Sequence, residues 1–199
     1  MRAILSISLI LYSFLSFSQE RQTILTADPA RTKIEWTGKK LTGEHYGEIE
    51  LSSGELTLID DKLTGGRFDM DMTSITCTDI TDAKSNKRLV DHLKSEDFFS
   101  TTRFPRSQFV ITSVKPKSSN EYEVIGDLTI KGKTNTISFP VKLSKTDSEW
   151  RGEGTMTFDR SKYDVKFGSQ SFYENLGDKL VYDDVDITIN LILKRGEPK

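Results

Sequence analysis

Cysteine and histidine are scarce in this 199-residue chain, which has one cysteine and two histidines. Cys77 has no partner for an internal disulfide, so the fold must be held together by its core. Its surroundings, TSITCTDIT, favour a small buried or edge residue over a reactive thiol. His45 and His92 lack the further His, Cys or carboxylate residues at ligand spacing that a zinc site needs. A shared metal would require the two histidines to meet in space, and we expect none.

The chain also lacks an excess of charge of either sign. Its 28 Lys and Arg residues against 30 Asp and Glu residues give a net charge of −2, whereas a nucleic-acid-binding protein needs a basic face. The carboxylates of Asp69, Asp71, Asp184 and Asp186 alternate along the sequence as on solvated strand faces, and a calcium or acid–base role is the alternative. No G-x-S-x-G elbow, P-loop or dinucleotide fingerprint is present.

A long hydrophobic run occurs at the start, in MRAILSISLILYSFLSFSQE. Arg2 precedes a serine-containing apolar run, and Ser16 and Ser18 are spaced as signal peptidase requires. The alternative is a membrane anchor, but that needs about 20 apolar residues and this run is shorter. We therefore expect a secretory signal peptide at residues 1–18, one domain at residues 19–199 and a periplasmic location.

Apolar and polar residues alternate with a period of two through most of the rest of the chain. This pattern predicts about eight half-buried strands, with one turn at Ser53-Gly54. Short connections make neighbouring strands antiparallel, and closing the sheet removes its exposed edges. An eight-stranded barrel either fills its interior with side chains or holds one small ligand. Gly47, Gly126, Gly152 and Gly154 on inner faces fit either sheet bending or space for a ligand, and both interpretations stay open.

Residues 82–100 interrupt the alternation. Leu89 and Leu93 form a narrow apolar stripe at helical spacing, and Ser95 is a candidate cap for a second short turn. The stretch DHLKSEDFFSTTRFPRSQF, residues 91–109, crowds a histidine, four phenylalanines and many charges together. It could be a catalytic segment, a metal site or a structural cap on an apolar interior.

Six stretches of the chain, taken in order, resemble the YceI-like family. They are EWTGKKLTGEHYGEIELSSGELTL, LTGGRFDMDMTSI, HLKSEDFFSTTRFPRSQF, GDLTIKGKTNTISFPV, FDRSKYDVKFGS and LVYDDVDITINL. The likeness runs from about Asp28 to Leu193, and the ordered set is more specific than any one motif. It implies an all-β fold, an extended eight-stranded antiparallel lipocalin-like barrel with a short helical segment near residues 82–100. Asp164 departs from the family, since many members have glycine there.

The resemblance further implies a periplasmic protein that holds a polyisoprenoid, such as a quinone tail, or a similar long-chain amphiphile in an apolar tunnel. We expect transport or storage without catalysis, no cofactor besides such a lipid, no nucleic acid and no membrane-spanning segment, and a homodimer is left open. The expected ligand-binding residues are Trp36, His45, Ile49, Phe68, Met70, Leu93, Phe98, Phe99, Leu128, Phe139, Met156, Phe158 and Tyr163.

Residues 91–109 would then cross one end of the barrel as a lid. The residues expected to face inward are Leu89, Leu93, Phe98, Phe99 and Phe104, and those expected to face water are Lys94, Glu96 and Asp97. His92 would be a hydrogen-bonded support. Two alternatives remain: a cyclase-like or isomerase-like enzyme, which would pair His45 with Tyr46 or Tyr163, and a purely structural β-protein with a filled core.

Overall fold

Ten β-segments and one helix make up the computed structural model, which describes residues 20–196. The expected signal peptide at residues 1–18 lies outside these residues. In chain order the elements are β1 (Gln22–Ala27), β2 (Lys33–Lys40), β3 (Gly43–Glu48), β4 (Glu50–Ile59), β5 (Lys62–Asp71), α1 (Ala83–Lys94), β6 (Arg106–Pro116), β7 (Glu121–Ile130), β8 (Lys133–Lys145), β9 (Trp150–Asp159) and β10 (Val181–Arg195). No helix among residues 20–196 is both long enough and apolar enough to cross a bilayer.

The ten segments occupy eight strand positions of a closed antiparallel barrel. The sheet order is β1-β4-β5-β6-β7-β8-β9-β10-β2-β3, and an additional pairing of β1 with β10 closes it. β1 and β2 follow one another along β10, separated by the 3₁₀ turn Pro29–Arg31. β3 and β4 follow one another in the same way, interrupted only at Ile49. The predicted eight-stranded antiparallel barrel is therefore confirmed.

Two details of the predicted strands are wrong. Ser53 and Gly54 lie inside β4 and not in a turn, because the pairing of β4 with β5 shifts register between Leu51 and Ser53. An extra residue accommodated as a bulge bends a strand without ending it. β1 was not predicted, although its alternating Thr23, Leu25 and Ala27 are buried.

The alternation of side chains explains the core. In β7, buried residues alternate strictly with exposed or half-buried ones. The buried side chains, which point inward, include Tyr122, Val124, Leu128 and Ile130. The same period in β9 turns Met156 inward and its neighbours outward. Fully burying one such side chain contributes about 1.5–3 kcal/mol, and the inward set forms one continuous hydrophobic cluster.

The barrel wall is incompletely paired between β8 and β9. These strands pair only from Val141 to Lys145 and from Trp150 to Gly154. Pro140 stands directly beyond the last pair, and proline has no backbone N–H to continue a ladder. The 3₁₀ turn Arg160–Tyr163 packs beside β8 in the unpaired part of the wall.

One end of the barrel is covered by the connection between β5 and β6. Asp82 caps α1 by accepting a hydrogen bond from the Ser85 N–H at 2.9 Å. Ser95 was expected to cap a second turn, but its hydroxyl instead donates to the His92 carbonyl at 2.8 Å and so closes α1. A helical segment in the predicted region is confirmed.

The start of this connection runs along the free edge of β3. The Thr76 N–H donates to the Glu48 carbonyl at 3.0 Å, and the Thr78 N–H donates to the Tyr46 carbonyl at 2.9 Å. The connection approaches β3 so closely at Gly47 that a Cβ there would lie 2.0 Å from the Thr76 carbonyl oxygen. Gly47 is therefore required by backbone approach and does not make room for a ligand.

Replacing Gly47 with alanine is expected to lower the free energy of unfolding by about 1–3 kcal/mol, the usual cost of overpacking. Urea unfolding followed by circular dichroism measures this loss. Gly38→Ala in β2 is the control, because a Cβ there meets nothing closer than the Trp36 ring at 4.0 Å. Equal stability of the two variants would contradict the close crossing.

Candidate ligand-binding site

A cavity of about 350 Å³ lies in the barrel interior, within the range of small-molecule sites. Its wall is built almost entirely from the inward side chains of the strands. Twelve of the thirteen residues expected to bind a ligand line it, namely Trp36, His45, Ile49, Phe68, Met70, Leu93, Phe98, Phe99, Leu128, Phe139, Met156 and Phe158. Their contact with a ligand stays a prediction.

Tyr163 is the thirteenth, and it does not line the cavity. The alternation of β9 ends at Asp159, and the following 3₁₀ turn places Tyr163 behind the wall, edge-on to the Phe158 ring with centroids 5.6 Å apart. Burial raises the pKa of the Tyr163 hydroxyl to about 12. Its position indicates support for Phe158 and no direct contact with a ligand.

The end cap, residues 83–104, presents apolar side chains to the same cavity. Leu93 and Phe98 are buried, and Leu89 and Phe99 are half-buried in its wall. Phe104 was expected to face inward, but it lies outside the wall and packs instead beside Gly132 in the β7–β8 turn. Pro105 follows Phe104 directly, so the chain already turns toward β6 at this point.

His92 packs in the end cap against two aromatic rings that also contact each other, since the Phe98 and Phe167 centroids are 5.3 Å apart. Its ring is edge-on to Phe98 at 4.9 Å and to Phe167 at 4.5 Å between centroids. Its Nε2 lies 3.2 Å from the Asp97 Oδ2. One nitrogen thus lies beside a carboxylate while the ring packs against apolar groups, an arrangement that fits a hydrogen-bonded support.

His45 belongs to a second polar group, at the edge of β3. Its Nδ1 lies 2.8 Å from the Asp79 Oδ2, and the other Asp79 oxygen accepts from the Tyr46 N–H at 3.0 Å. Burial opposes ionisation of Asp79, but these hydrogen bonds prevail and lower the pKa of its carboxyl. The dyad orients His45, whose ring forms part of the cavity wall.

Cys77 lies beside this dyad and is buried. Its Sγ is 3.2 Å from the Asp79 Oδ1. Burial raises the pKa of the Cys77 thiol, and the adjacent carboxylate acts in the same direction. A thiol kept protonated is a poor nucleophile, which agrees with the expected structural role.

The pairs considered for catalysis are not assembled around the cavity. Tyr46 alternates with His45 and lies on the outer face, 47% exposed. Tyr163 is behind the wall, as described above. Within residues 20–196 no group of three or more His, Cys, Asp or Glu side chains is arranged to hold a metal ion.

Arg160 is a wall residue that the alternation of the sequence does not predict. It is only 2% exposed, and its guanidinium donates to the carbonyls of Tyr182, Val165 and Val181 at 3.1, 3.0 and 2.9 Å. It also lies 3.2 Å from the Asp183 Oδ1. Burial lowers the pKa of Arg160, and its contacts tie the connection after β9 to the start of β10.

The inner-face glycines serve different purposes. Gly152 and Gly154 line the cavity, where a side chain would project into it. Gly126 instead makes room for the Phe109 ring, since a Cβ there would lie 2.5 Å from the Phe109 Cζ. Gly126 therefore fits neither sheet bending nor space for a ligand, the two interpretations left open by the sequence.

The cavity reaches the surface at the end cap. The lining residues there come from the end of β2 with Lys40, from the end cap with His92, from the connection before β10 with Phe167, and from the start of β10 with Tyr182. Phe167 and Tyr182 are also 42% and 41% exposed. The apolar interior is therefore continuous with the protein surface at this mouth.

A closed antiparallel barrel with an apolar internal cavity defines the class of small β-barrels built to accommodate one ligand. A YceI-like domain is matched over residues 25–193. The chain belongs to the YceI-like family, so that the predicted resemblance is confirmed.

Curated relatives show the same likeness. A YceI protein of Shigella flexneri is 31% identical over 109 residues, which is 54% of either chain. A UPF0312 protein of Staphylococcus aureus strain USA300 is 30% identical over 154 residues, 73% of this chain and 84% of the relative. The match thus spans about half the length of the first of these relatives.

Solved structures share the fold. Burkholderia cenocepacia BcnA superimposes with a TM-score of 0.69 at 25% identity, covering 83% of this chain and 98% of BcnA. A polyisoprenoid-binding domain from Saccharophagus degradans, described as implicated in plant cell wall breakdown, gives a TM-score of 0.65 at 10% identity. It covers 88% of this chain and all of that domain. At this identity the second likeness concerns the fold alone.

Proposed function

We propose that this protein binds one long-chain amphiphile, a polyisoprenoid or a lipid of similar length, and carries or stores it in the periplasm. The observation that supports this most is the cavity itself, which is nearly all-apolar, lies inside a closed barrel and has exposed lining residues beside the end cap. The apolar chain would lie among the strand side chains and its head group would stay near the mouth. The polyisoprenoid binding named for the Saccharophagus domain agrees with this proposal.

The length of the apolar lipid tail would supply most of the binding affinity. Each buried CH₂ contributes about 0.8 kcal/mol, so complete burial of a forty-carbon prenyl tail would nominally give about 30 kcal/mol. Non-covalent affinities saturate near 18–21 kcal/mol. Ordering of the tail and incomplete burial must therefore remove much of the nominal gain, and the head group adds little selectivity.

Titration with prenyl alcohols of increasing length tests the proposal. Quenching of tryptophan fluorescence is a suitable readout because Trp36 lines the cavity. We expect affinity to rise with each added isoprene unit and to level off once the tunnel is filled. Affinity independent of length, or no binding of any member of the series, would contradict the proposal.

Replacing Phe98 and Phe99 together with alanine is expected to speed ligand release. Phe98 and Phe99 contact the cavity from the end cap, and segments that gate a site are usually among the less stable parts of a fold. A fully buried Phe→Ala substitution costs about 3–5 kcal/mol of stability and a half-buried one less. Stopped-flow release of a fluorescent prenyl analogue measures the rate.

Phe104→Ala is the matched control, since Phe104 is a half-buried end-cap phenylalanine outside the cavity wall. It should lower stability somewhat and leave the release rate unchanged. A folded double variant that releases ligand at the wild-type rate would show that the end cap is an ordinary core-capping turn.

Export should remove the first 18 residues. The expected cleavage after Ser18 gives a mature chain that begins at Gln19, because small residues at positions 16 and 18 suit signal peptidase. Intact-mass measurement of the protein from the periplasmic fraction checks this. A chain that retains Met1 and remains in the membrane fraction would contradict it.

A further inference from the structure

Five large apolar side chains are exposed beside the end cap, on segments that meet at the start of β10. Each is between 41% and 52% exposed, and the five are Leu41, Phe167, Phe172, Tyr173 and Tyr182. We call this set the mouth patch. Burying such residues is the usual outcome of folding, and an apolar patch left exposed on a monomer is often functional.

Backbone hydrogen bonds bring the segments that carry these residues next to one another. The Leu41 N–H donates to the Leu180 carbonyl at 3.2 Å, which fixes the β2–β3 turn beside the start of β10. The Val181 N–H donates to the Gly168 carbonyl at 2.9 Å, which brings Phe167 to the same place. The N–H groups of Phe172 and Tyr173 both donate to the Ser169 carbonyl, which tethers their loop there.

A partly buried polar network holds this loop in place. The Asp183 Oδ2 accepts from the Ser169 hydroxyl at 2.8 Å and from the Ser171 hydroxyl at 2.7 Å, while the other Asp183 oxygen contacts Arg160. The exposed aromatic side chains are therefore presented by an anchored segment.

The mouth patch is continuous with the cavity. Phe167 and Tyr182 are members of the patch and also line the tunnel. A ligand that passes through the mouth therefore moves directly beneath whatever covers the patch. For a ligand with a long apolar tail, the natural source is a membrane, because such a tail is costly to expose to water.

Two lysines beside the patch are paired with carboxylates. Lys166 lies 2.9 Å from the Asp164 carboxylate, and Lys39 lies 2.7 Å from Asp186. Lys166 also sits over the Phe172 ring at 5.2 Å. This arrangement complements a zwitterionic surface better than a strongly charged one, and the two tyrosines suit the polar–apolar boundary of a bilayer.

The patch is small for an interface between two copies of the chain. Large side chains carry roughly 200 Å² each, so five of them exposed by nearly half present roughly 450 Å². A stable protein–protein interface needs about 800 Å² per partner. A shallow insertion into a bilayer needs no such area.

We propose that the mouth patch docks on the surface of a lipid bilayer, so that ligand passes between membrane and cavity without crossing bulk water. The passage of ligand rests on the proposed function, whereas docking itself does not. Binding depends on shallow insertion of Leu41, Phe172 and Tyr173, with Phe167 and Tyr182 at the boundary between bilayer and tunnel.

Flotation with phosphatidylcholine vesicles tests docking on ligand-free protein. We expect the wild type to float with the vesicles and to do so equally in about 1 M NaCl, where the Debye length falls to about 3 Å. The double variant Phe172→Ser, Tyr173→Ser should lose at least about tenfold in vesicle affinity, because two apolar side chains no longer insert. Neither residue lines the cavity.

Tyr46→Ser is the matched control, an equally exposed tyrosine on the outer face of β3. It should float like the wild type. Equal flotation of the double variant and the wild type, or loss of flotation in high salt, would overturn the proposal. A change in molar mass by light scattering for the double variant without any vesicle effect would assign the patch to pairing of two chains and overturn it too.

Ligand transfer separates this proposal from the proposed function. Dansyl-labelled geranylgeraniol is offered either in phosphatidylcholine vesicles or in cyclodextrin. We expect the double variant to take it from cyclodextrin with wild-type affinity and from vesicles at least about tenfold more slowly. If both proteins bind the lipid from cyclodextrin and also take it from vesicles at equal rates, docking alone is overturned. If the wild type does not bind the lipid from cyclodextrin, the proposed function is overturned.

Discussion

Replacing Arg160 with methionine is expected to lower the free energy of unfolding by about 3–5 kcal/mol, the usual cost of removing one partner of a buried ion pair. Arg160 donates to three backbone carbonyls and contacts Asp183 while almost completely buried. Methionine fills a similar volume but leaves these oxygens without a donor, and each unsatisfied buried acceptor carries its own penalty. Urea unfolding measured by circular dichroism gives the difference.

Two further variants make this test specific. Arg88→Met removes an exposed arginine from α1 and should change stability by less than about 0.5 kcal/mol. Arg160→Lys keeps the charge but cannot reproduce the planar fork of donors, so it should lose most of the same stability. A loss below about 1 kcal/mol for Arg160→Met would contradict the anchoring role.

Met156→Glu is expected to weaken binding of a prenyl ligand by at least about a hundredfold near neutral pH, which corresponds to about 2.7 kcal/mol. Met156 is buried, points inward from β9 and lines the cavity. An unpaired carboxylate in such a tunnel is costly, and the tunnel would raise the pKa of the new acid. Binding should therefore recover in part as the pH falls and the acid takes up a proton.

The neighbouring substitution Thr155→Glu provides the control, because Thr155 is exposed on the opposite face of the same strand. It introduces the same charge one residue away and should leave affinity unchanged at every pH. A folded Met156→Glu protein with normal binding would show that the inner face of β9 does not contact the ligand.

The barrel could be predicted from sequence because its side-chain period follows directly from strand geometry. The inward residues of β2, β5, β7, β8 and β9 were found for the same reason, and the strands carry most of the cavity wall. Periodicity did not predict the bulge at Ser53, because apolar and polar residues alternate both before and after it.

The structure of the connection between β9 and β10 could not be predicted from side-chain periodicity. It has no repeating pattern, so Phe167 was missed as a wall residue, and Tyr163 was expected to bind a ligand although it packs against Phe158 outside the cavity wall. A buried arginine such as Arg160 also runs against the general preference of that residue for the surface. Its signal in the sequence, an arginine directly after an alternating strand, is too weak to reveal its partners.

Mass spectrometry of the protein purified in its native state tests the central claim most directly. Spectra of the intact complex, followed by organic extraction and identification of the released lipid, report what fills the cavity without any added probe. The account predicts one long-chain amphiphile per chain, lost from the Met156→Glu variant and retained by Thr155→Glu. Wild-type protein that is consistently free of lipid and also does not bind added prenyl alcohols would contradict the proposed lipid binding.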